Sequence, residues 1–428
     1  MKHGMAKLTW IILSIVFFLF YPHGSFQQEQ SDLNDAEAYN SRGMSYRDKG
    51  QYDRAISDFN KAIEMNPSYA YAYNNRGMTY RDKGLYDQAI SDYNKAIEIN
   101  PPYAFALNNR GIAYRDKSQY DRAISDFNKA IEINPRYAYA YNNRGLAYRG
   151  KGQPERAISD FTKAIEIDPG FAYPYNNRGY IYLEKGQYEQ ALSDFTKAIE
   201  INLKYTEAYH NRGIAYRHKG QPDQAISDFN KALGMDPKYT EAYNNRGIAY
   251  YDKGQYDQAI SDYNKALEIN PKFAEAYNHR GMAYWGRGQY DLALSDYNKA
   301  LEINPRFAEA YNNRGMIYKR KGKFDQAISD YNRAIELNPK YAEAFNNLGN
   351  AHMEKGQYDQ AISNYDKALE LNPRLAAGYN NRGMAYYSKQ EYDKSWEDVK
   401  KALDLGYPIS PQFLEDLRNA VAKSMETK

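Results

Sequence analysis

The chain has 428 residues, of which 43% are hydrophobic and 15% aromatic, and it contains no cysteine. This apolar content excludes a disordered chain, and the lack of Cys excludes disulfides, thiolate zinc sites and cysteine nucleophiles. The formal net charge is only +3, and Lys2 and Lys7 supply two of those charges, so the nearly neutral body argues against nucleic acid as the main partner.

Residues 1–25 differ from the rest of the chain. Lys2, His3 and Lys7 flank the apolar run LTWIILSIVFFLFY at residues 8–21, which is followed by the breaker PHGS. A basic segment and an apolar run this short are typical of a secretory signal peptide, because a membrane span needs about 20 residues. The alternative is an uncleaved N-terminal anchor, in which residues 8–21 tether the protein to a membrane. Both readings predict an exported protein, periplasmic or extracellular, with residues 26–35 as a linker.

The chain then repeats one unit of 34 residues. Glycines recur without a gap at residues 43, 77, 111, 145, 179, 213, 247, 281, 315, 349 and 383. With this glycine numbered as position 8, eleven units fill residues 36–409. Fixed self-similarity of this length is the signature of a stacked repeat architecture.

Each unit carries two helical patterns, which we call helix A and helix B. Tyr at position 4, Gly at 8 and Tyr at 11 mark one stripe on helix A, and Ala at 20, an aromatic at 24 and Ala at 27 mark helix B. Pro at position 32, as in Asn100-Pro101, ends most units because proline cannot continue a helix.

A 34-residue period with this pattern resembles the tetratricopeptide repeat (TPR) family. In the second unit the matching residues are Tyr73, Gly77, Tyr80, Ala89, Tyr93, Ala96 and Pro101. The resemblance implies an all-α fold, a right-handed α-solenoid superhelix of helical hairpins in which helix A lines a concave groove. Residues 410–428 then predict a C-terminal capping helix, with Ser410 as N-cap and an apolar face of Phe413, Leu414, Leu417 and Val421. The alternative is that this helix docks a partner.

Position 7 is Arg in ten units, although this position is usually apolar in the family. A charge beside the packed stripe needs a partner, and position 23 of the facing helix B is Asp in ten units. Only the tenth unit lacks both, having Leu348 and Asn364. We therefore predict an Arg–Asp pair that joins helices A and B inside each repeat; the alternative is a solvated Arg whose stem covers the hairpin.

Position 6 holds Asn in nine units, and position 5 holds Asn in ten. By resemblance to the family, both positions lie on the groove face of helix A, where an amide can pair with a peptide backbone. We predict that the position-6 side chains bind an extended peptide: Asn75, Asn109, Asn143, Asn177, Asn211, Asn245, Asn313, Asn347 and Asn381. The alternative is a tolerated polar surface copied by duplication.

Position 2 changes its chemistry along the chain. It is aromatic in units two to five (Tyr71, Phe105, Tyr139 and Tyr173) and Glu in units six to ten (Glu207, Glu241, Glu275, Glu309 and Glu343). Position 12 is Arg in the first four units. These residues predict groove specificity, with an aromatic and basic N-terminal half and a more acidic C-terminal half.

The sequence offers no catalytic constellation. The six His are scattered, no phosphate-binding loop is present, and we expect no catalytic residue, no metal and no cofactor. The prediction is a non-enzymatic, exported protein-interaction scaffold that binds a protein or peptide ligand. The alternative is a membrane-tethered structural array that self-associates through its repeats.

Overall fold

A computed structural model describes the backbone of residues 23–426 and the side chains of residues 35–424. These residues form 23 α-helices and no strand. They divide into two compact units, the first ending at Ala208 and the second beginning at Tyr209. Each unit is a tandem array of antiparallel helical hairpins, so the predicted all-α solenoid class is confirmed.

The helices of the first unit are α1 (His23–Asp48), α2 (Tyr52–Met65), α3 (Ala70–Asp82), α4 (Tyr86–Ile99), α5 (Ala104–Asp116), α6 (Tyr120–Ile133), α7 (Ala138–Gly150), α8 (Pro154–Ile167), α9 (Ala172–Glu184) and α10 (Tyr188–Ile201). The division between the units falls inside α11 (Thr206–His218).

The second unit continues with α12 (Pro222–Met235), α13 (Thr240–Asp252), α14 (Tyr256–Ile269), α15 (Ala274–Gly286), α16 (Tyr290–Ile303), α17 (Ala308–Arg320), α18 (Phe324–Leu337), α19 (Ala342–Glu354), α20 (Tyr358–Leu371), α21 (Ala376–Ser388), α22 (Tyr392–Asp404) and α23 (Pro411–Glu426). Up to α22, odd-numbered helices are helix A of a repeat and even-numbered helices are helix B.

Short turns at position 15 separate helix A from helix B. The residue there has positive φ in every repeat; it is Gly in nine of them, Ser118 in the third and Gln390 in the eleventh. Glycine adopts this conformation without steric cost. At the other end of helix B, an Asn or Asp at position 31 caps the turn, as where the Asn66 Oδ1 accepts a hydrogen bond from the Ser68 N–H at 3.1 Å.

The position-8 glycine is required by the ring at position 24 of the same repeat. A Cβ on Gly247 would lie 2.6 Å from the Tyr263 ring, closer than real Cβ atoms come. Position-24 rings are almost completely buried, and Ala at positions 20 and 27 is buried beside them. The absence of a side chain on helix A therefore allows the large ring of helix B to enter the hairpin.

Helix α23, the segment for which the sequence predicts a capping helix, packs against the end of the second unit. Ser410 precedes its first residue, Pro411, and the Ser410 carbonyl accepts a hydrogen bond from the Leu414 N–H. Leu417 is fully buried, and the Phe413 ring lies 5.3 Å from the Tyr387 ring of repeat 11. This helix thus shields the last apolar face of the array.

Only part of the N-terminal segment is described by the structure. Residues 8–21, predicted as a signal peptide or membrane tether, lie outside the described residues. Residues 26–35, expected to be a linker, are helical and continuous with the first repeat, since no Gly or Pro interrupts the chain between Ser25 and Gly43. Within residues 23–426, none of the helices combines the length and apolar character of a membrane span.

Candidate partner-binding surface

The asparagines of helix A form a ladder of hydrogen bonds between neighbouring repeats. The position-6 Nδ2 donates to the position-5 Oδ1 of the preceding repeat at 2.9–3.1 Å. We call these side chains the amide ladder; its recorded Asn–Asn pairs are Asn75–Asn40, Asn109–Asn74, Asn143–Asn108, Asn177–Asn142, Asn313–Asn278, Asn347–Asn312 and Asn381–Asn346. Each bond joins adjacent A helices, a structural role that sequence reasoning missed.

Burial differs between the two positions of the amide ladder. Most position-5 side chains are buried, such as Asn74, Asn108 and Asn278 at 4% exposure, so the expectation that position 5 opens on the surface is wrong. It is buried because the next repeat packs over it. At position 6, Asn75 and Asn211 are buried and the other predicted peptide-binding asparagines are half-buried.

Two histidines replace asparagine in the amide ladder of the second unit. The His210 Nε2 lies 2.9 Å from the Asn245 Nδ2 and its Nδ1 lies 3.0 Å from the Tyr239 hydroxyl. The His279 Nδ1 lies 2.9 Å from the Asn244 Oδ1. Burial lowers the pKa of both rings to about 4, and the charge of Arg217 contributes at His279. These rings are therefore neutral structural members of the ladder at pH 7.

The predicted Arg–Asp pair is present in all ten repeats that carry both residues. Each Arg donates from Nε and Nη2 to the two carboxylate oxygens of the Asp at 2.6–2.8 Å. Such bidentate pairs are strong and geometrically specific. In the second repeat the Arg76 guanidinium also lies over the rings of Tyr73 and Tyr80.

Eight of these arginines are also bonded to the preceding repeat, a contact that sequence reasoning missed. Their Nη1 donates to position 25 of helix B at 2.5–2.9 Å, as from Arg76 to Asn60 and from Arg178 to Thr162. The recurrence of a short polar residue at position 25 was the available signal. We call this contact among three helices the arginine junction. Its guanidinium nitrogens are hydrogen-bonded within the protein, so we assign the arginine a structural role and not a role in ligand binding.

Repeat 10 shows what replaces the arginine junction. Leu348 packs in an apolar cluster with Ala327, Tyr331 and Ala351, and the Asn364 side chain turns to its own helix, donating to the Gln360 carbonyl at 2.7 Å. Repeat 10 thus lacks both the Arg of helix A and the Asp of helix B. This agrees with a partly buried ion pair, because removing only one partner would leave an unpaired charge.

An unbroken row of aromatic rings runs along the first unit. Position-34 and position-2 rings alternate, with centroids 4.4–6.4 Å apart. This aromatic row consists of Tyr69, Tyr71, Tyr103, Phe105, Tyr137, Tyr139, Phe171, Tyr173 and Tyr205. The four position-2 rings are 54–57% exposed. Large apolar side chains exposed in one register on successive repeats form a contiguous patch, which is typical of interaction surfaces.

In the second unit the same register carries exposed carboxylates. Glu241, Glu275, Glu309 and Glu343 are all exposed, and Glu207 is exposed at the end of the first unit. The aromatic and the acidic side chains at position 2 are therefore both exposed to solvent and accessible to a partner.

Arginines at position 12 lie at the other end of the A helices of the first unit. Arg47 pairs with Asp82 of the next repeat at 2.8 Å, and Arg149 pairs with Glu184 and lies over the Tyr180 ring at 4.0 Å. A cavity of about 560 Å³ opens here, lined by Arg115, Tyr120, Leu146, Arg149, Gly150 and Glu184. The predicted basic character of this half is therefore partly neutralised by neighbouring carboxylates.

No metal-binding group of His, Asp and Glu side chains occurs in the part of the chain whose side chains are described.

Comparisons with known proteins agree with this architecture. Family models described as tetratricopeptide repeats match residues 36–69, 70–103, 138–171, 240–273, 274–307 and 342–375, and others match 171–238, 92–125 and 296–329. A model described as TPR repeat matches residues 111–152 and 315–356. No curated protein sequence matches the chain.

Solved structures resemble the chain at low sequence identity. The APC/C hetero-tetramer Cut9–Hcn1 contains a chain 16% identical, with a TM-score of 0.53 over 90% of this chain and 96% of that one. Yeast Tom70 is 18% identical, with a TM-score of 0.46 over 92% and 96%. YrrB, a TPR protein with an unusual peptide-binding site, is 28% identical, with a TM-score of 0.37 over 43% and 95%.

Proposed function

The chain belongs to the tetratricopeptide repeat family, and on this premise we propose that it is a protein-interaction scaffold, not an enzyme, whose A helices bind an extended partner segment. The observation that carries the proposal is the aromatic row of the first unit, with four rings at least half exposed in one register. Exposing such rings is unfavourable in a monomer unless a partner covers them.

The predicted peptide-binding asparagines stand next to these rings. Position 6 follows position 2 by four residues, so Asn109 and Phe105 are neighbours on one helix face, as are Asn143 and Tyr139. Each amide donates one N–H bond to the preceding repeat. Its second N–H and its carbonyl oxygen are the groups that we propose to pair with the partner's peptide groups.

The exposed glutamates of the second unit support a second element of the proposal, namely a different specificity there. We propose that the partner contacts uncharged apolar residues along the aromatic row and basic residues where position 2 is Glu. Opposite charges on the partner would add orientation and association rate more than affinity.

We also propose that the protein is exported, on the basis of Lys2, Lys7 and the apolar run at residues 8–21. Fractionation of the source cells tests this: the proposal predicts the chain outside the cytoplasm, and a cytoplasmic chain would contradict it.

Selection from a displayed library of random 12-residue peptides on the full-length chain tests the binding function. We expect specific peptides that lose binding at least tenfold on the Phe105→Glu/Tyr139→Glu variant. The matched control is Ile133→Glu, which changes an exposed residue of helix B in the same unit. Failure to select any peptide, or equal loss on the control variant, would refute the proposal.

A further inference from the structure

The aromatic row contains three notches of the same construction. In each, a position-34 ring that is buried or half-buried lies between two exposed position-2 rings of successive repeats. Tyr103, Tyr137 and Phe171 form the floors, and Tyr71, Phe105, Tyr139 and Tyr173 form the walls.

The spacing of the walls is set by the repeat. The Tyr71 and Phe105 centroids lie 5.2 and 6.4 Å from the Tyr103 centroid, so they cannot be farther apart than those two distances combined. Neighbouring packed helices are separated by about 8–10 Å. A ligand that uses every notch must therefore present an equivalent side chain about every 10 Å, always towards the same side.

We propose that the aromatic row binds a segment in the polyproline II conformation with proline at every third residue. This inference rests on the proposed scaffold function and specifies the chemistry of the partner. Polyproline II rises about 3.1 Å per residue with three residues per turn, so every third side chain returns to one face after about 9 Å. That period matches the notches.

Other backbone conformations fit the notches less well. Three residues of a β-strand also cover about 10 Å, but their first and fourth side chains point to opposite faces. An α-helix is about 10–12 Å wide with its side chains, so it would rest on the wall rings and leave the floors uncovered.

The surface chemistry of the aromatic row also suits proline. Aromatic-lined grooves receive proline rings in the known recognition of PxxP segments. The backbone carbonyls of polyproline II are not bonded within the chain, and the exposed Tyr71, Tyr139 and Tyr173 bring hydroxyl donors to the row. The row consists only of Tyr and Phe side chains, without Asp, Glu, Lys or Arg, so the affinity should change little between about 50 and about 500 mM salt.

Two synthetic peptides of equal length and composition test the inference, both carrying four prolines. In the first, the prolines are three residues apart; in the second, they are four apart, which turns successive prolines to different faces. By fluorescence anisotropy with the full-length chain, we expect the first peptide to bind at least tenfold more tightly. Equal affinity of the two peptides would overturn the inference.

Variants complete the test. Phe105→Glu/Tyr139→Glu should weaken the first peptide at least tenfold and remain folded, because Glu already occupies position 2 in five repeats. Phe105→Ala is the milder variant if the double change disturbs folding. The matched control, Glu275→Ala/Glu309→Ala, alters the same register in the second unit and should leave binding unchanged; a loss there would also overturn the inference.

The outcomes separate this inference from the scaffold proposal. If library selection returns peptides that need the aromatic row but show no three-residue proline period, the scaffold proposal stands and the polyproline inference fails. If no peptide is selected and neither synthetic peptide binds, both fail.

Discussion

Several polar side chains in these repeats stabilise the packing of the helices, a role that their residue type alone does not indicate. Asn, Arg and Asp are polar residues that usually lie on surfaces, yet most of those in the amide ladder and the arginine junction are buried or half-buried and hydrogen-bonded to one another. Near-identical repeats then supply natural controls, because a residue changed in one repeat can be compared with its unchanged equivalents.

The two ladder histidines should make stability depend on pH. Their pKa values are lowered to about 4 in the folded chain, whereas unfolded histidine titrates near 6.5. Between these values the unfolded state binds more protons, so the stabilisation is complete above pH 6.5 and is lost as the pH falls towards 4.

The matched variant is His210→Asn/His279→Asn, which restores the residue of the other repeats. Urea unfolding at pH 7 and pH 4.5 should show that it loses less stability on acidification than the parent chain, by several kcal/mol in total. An identical pH dependence of the two proteins would show that these rings are not buried neutral groups.

The position-24 tyrosines allow a second comparison of single residues. The Tyr331 hydroxyl is buried without a hydrogen-bond partner, whereas the Tyr365 hydroxyl donates to the Asn350 Oδ1 at 2.8 Å. Tyr331→Phe should therefore leave the unfolding free energy unchanged or raise it by up to about 1 kcal/mol, while Tyr365→Phe should lower it by about 1 kcal/mol. Thermal unfolding of both variants measures this; the opposite order would contradict the assigned contacts.

At the level of the helical hairpin, the arginine junction and the position-8 glycine fix how helix A meets helix B. The junction joins three helices, and the glycine admits the position-24 ring. Both features recur in almost every repeat, so the same contacts join helix A to helix B along most of each unit.

A double-mutant cycle tests the arginine junction. Arg246→Leu and Asp262→Asn introduce the pair found naturally in repeat 10. Each single change leaves a partner group unpaired at a largely buried site, with 18% and 7% of the side chains exposed, and should cost about 3 kcal/mol. The double variant should cost clearly less than both together. Additive effects in urea unfolding would contradict the pair.

The glycine requirement has its own matched pair. A Cβ on Gly247 would lie 2.6 Å from the Tyr263 ring, but on Gly383 it would lie 3.2 Å from Val399, which replaces the usual ring. Gly247→Ala should destabilise the chain by about 2 kcal/mol, and Gly383→Ala should change stability by less than about 1 kcal/mol because better helix propensity offsets the tighter contact. Equal losses in thermal unfolding would contradict this packing.

Hairpins and the Arg–Asp pair could be predicted from the sequence, because both depend on contacts within one repeat at a fixed spacing. The amide ladder and the third bond of the arginine junction join different repeats. The number of residues between such partners is constant, but which faces of adjacent repeats meet depends on how hairpins stack. For this reason the sequence pattern predicts position 5 on the groove surface, whereas the structure buries it under the next repeat.

At the scale of the whole molecule, repeats with similar internal packing present two different surfaces. Exposed aromatic rings occupy position 2 of repeats 2–5, and exposed glutamates occupy it in repeats 6–10. Because position 2 contributes little to the core, it can change without a compensating change elsewhere, whereas the loss of Arg from the junction of repeat 10 is matched by the loss of its Asp. Under the proposed function, partner recognition lies in a register that contributes little to the fold.

Photo-crosslinking in the source cells tests the central claim, that the A helices of the first unit bind a partner, most directly. A benzophenone amino acid replaces Phe105 in the aromatic row or, as control, Ile133 on helix B, both of which are exposed. We predict a discrete crosslinked protein at residue 105 and none at residue 133. No product at 105, equal products at both sites, or a product consisting only of a second copy of this chain would contradict the account.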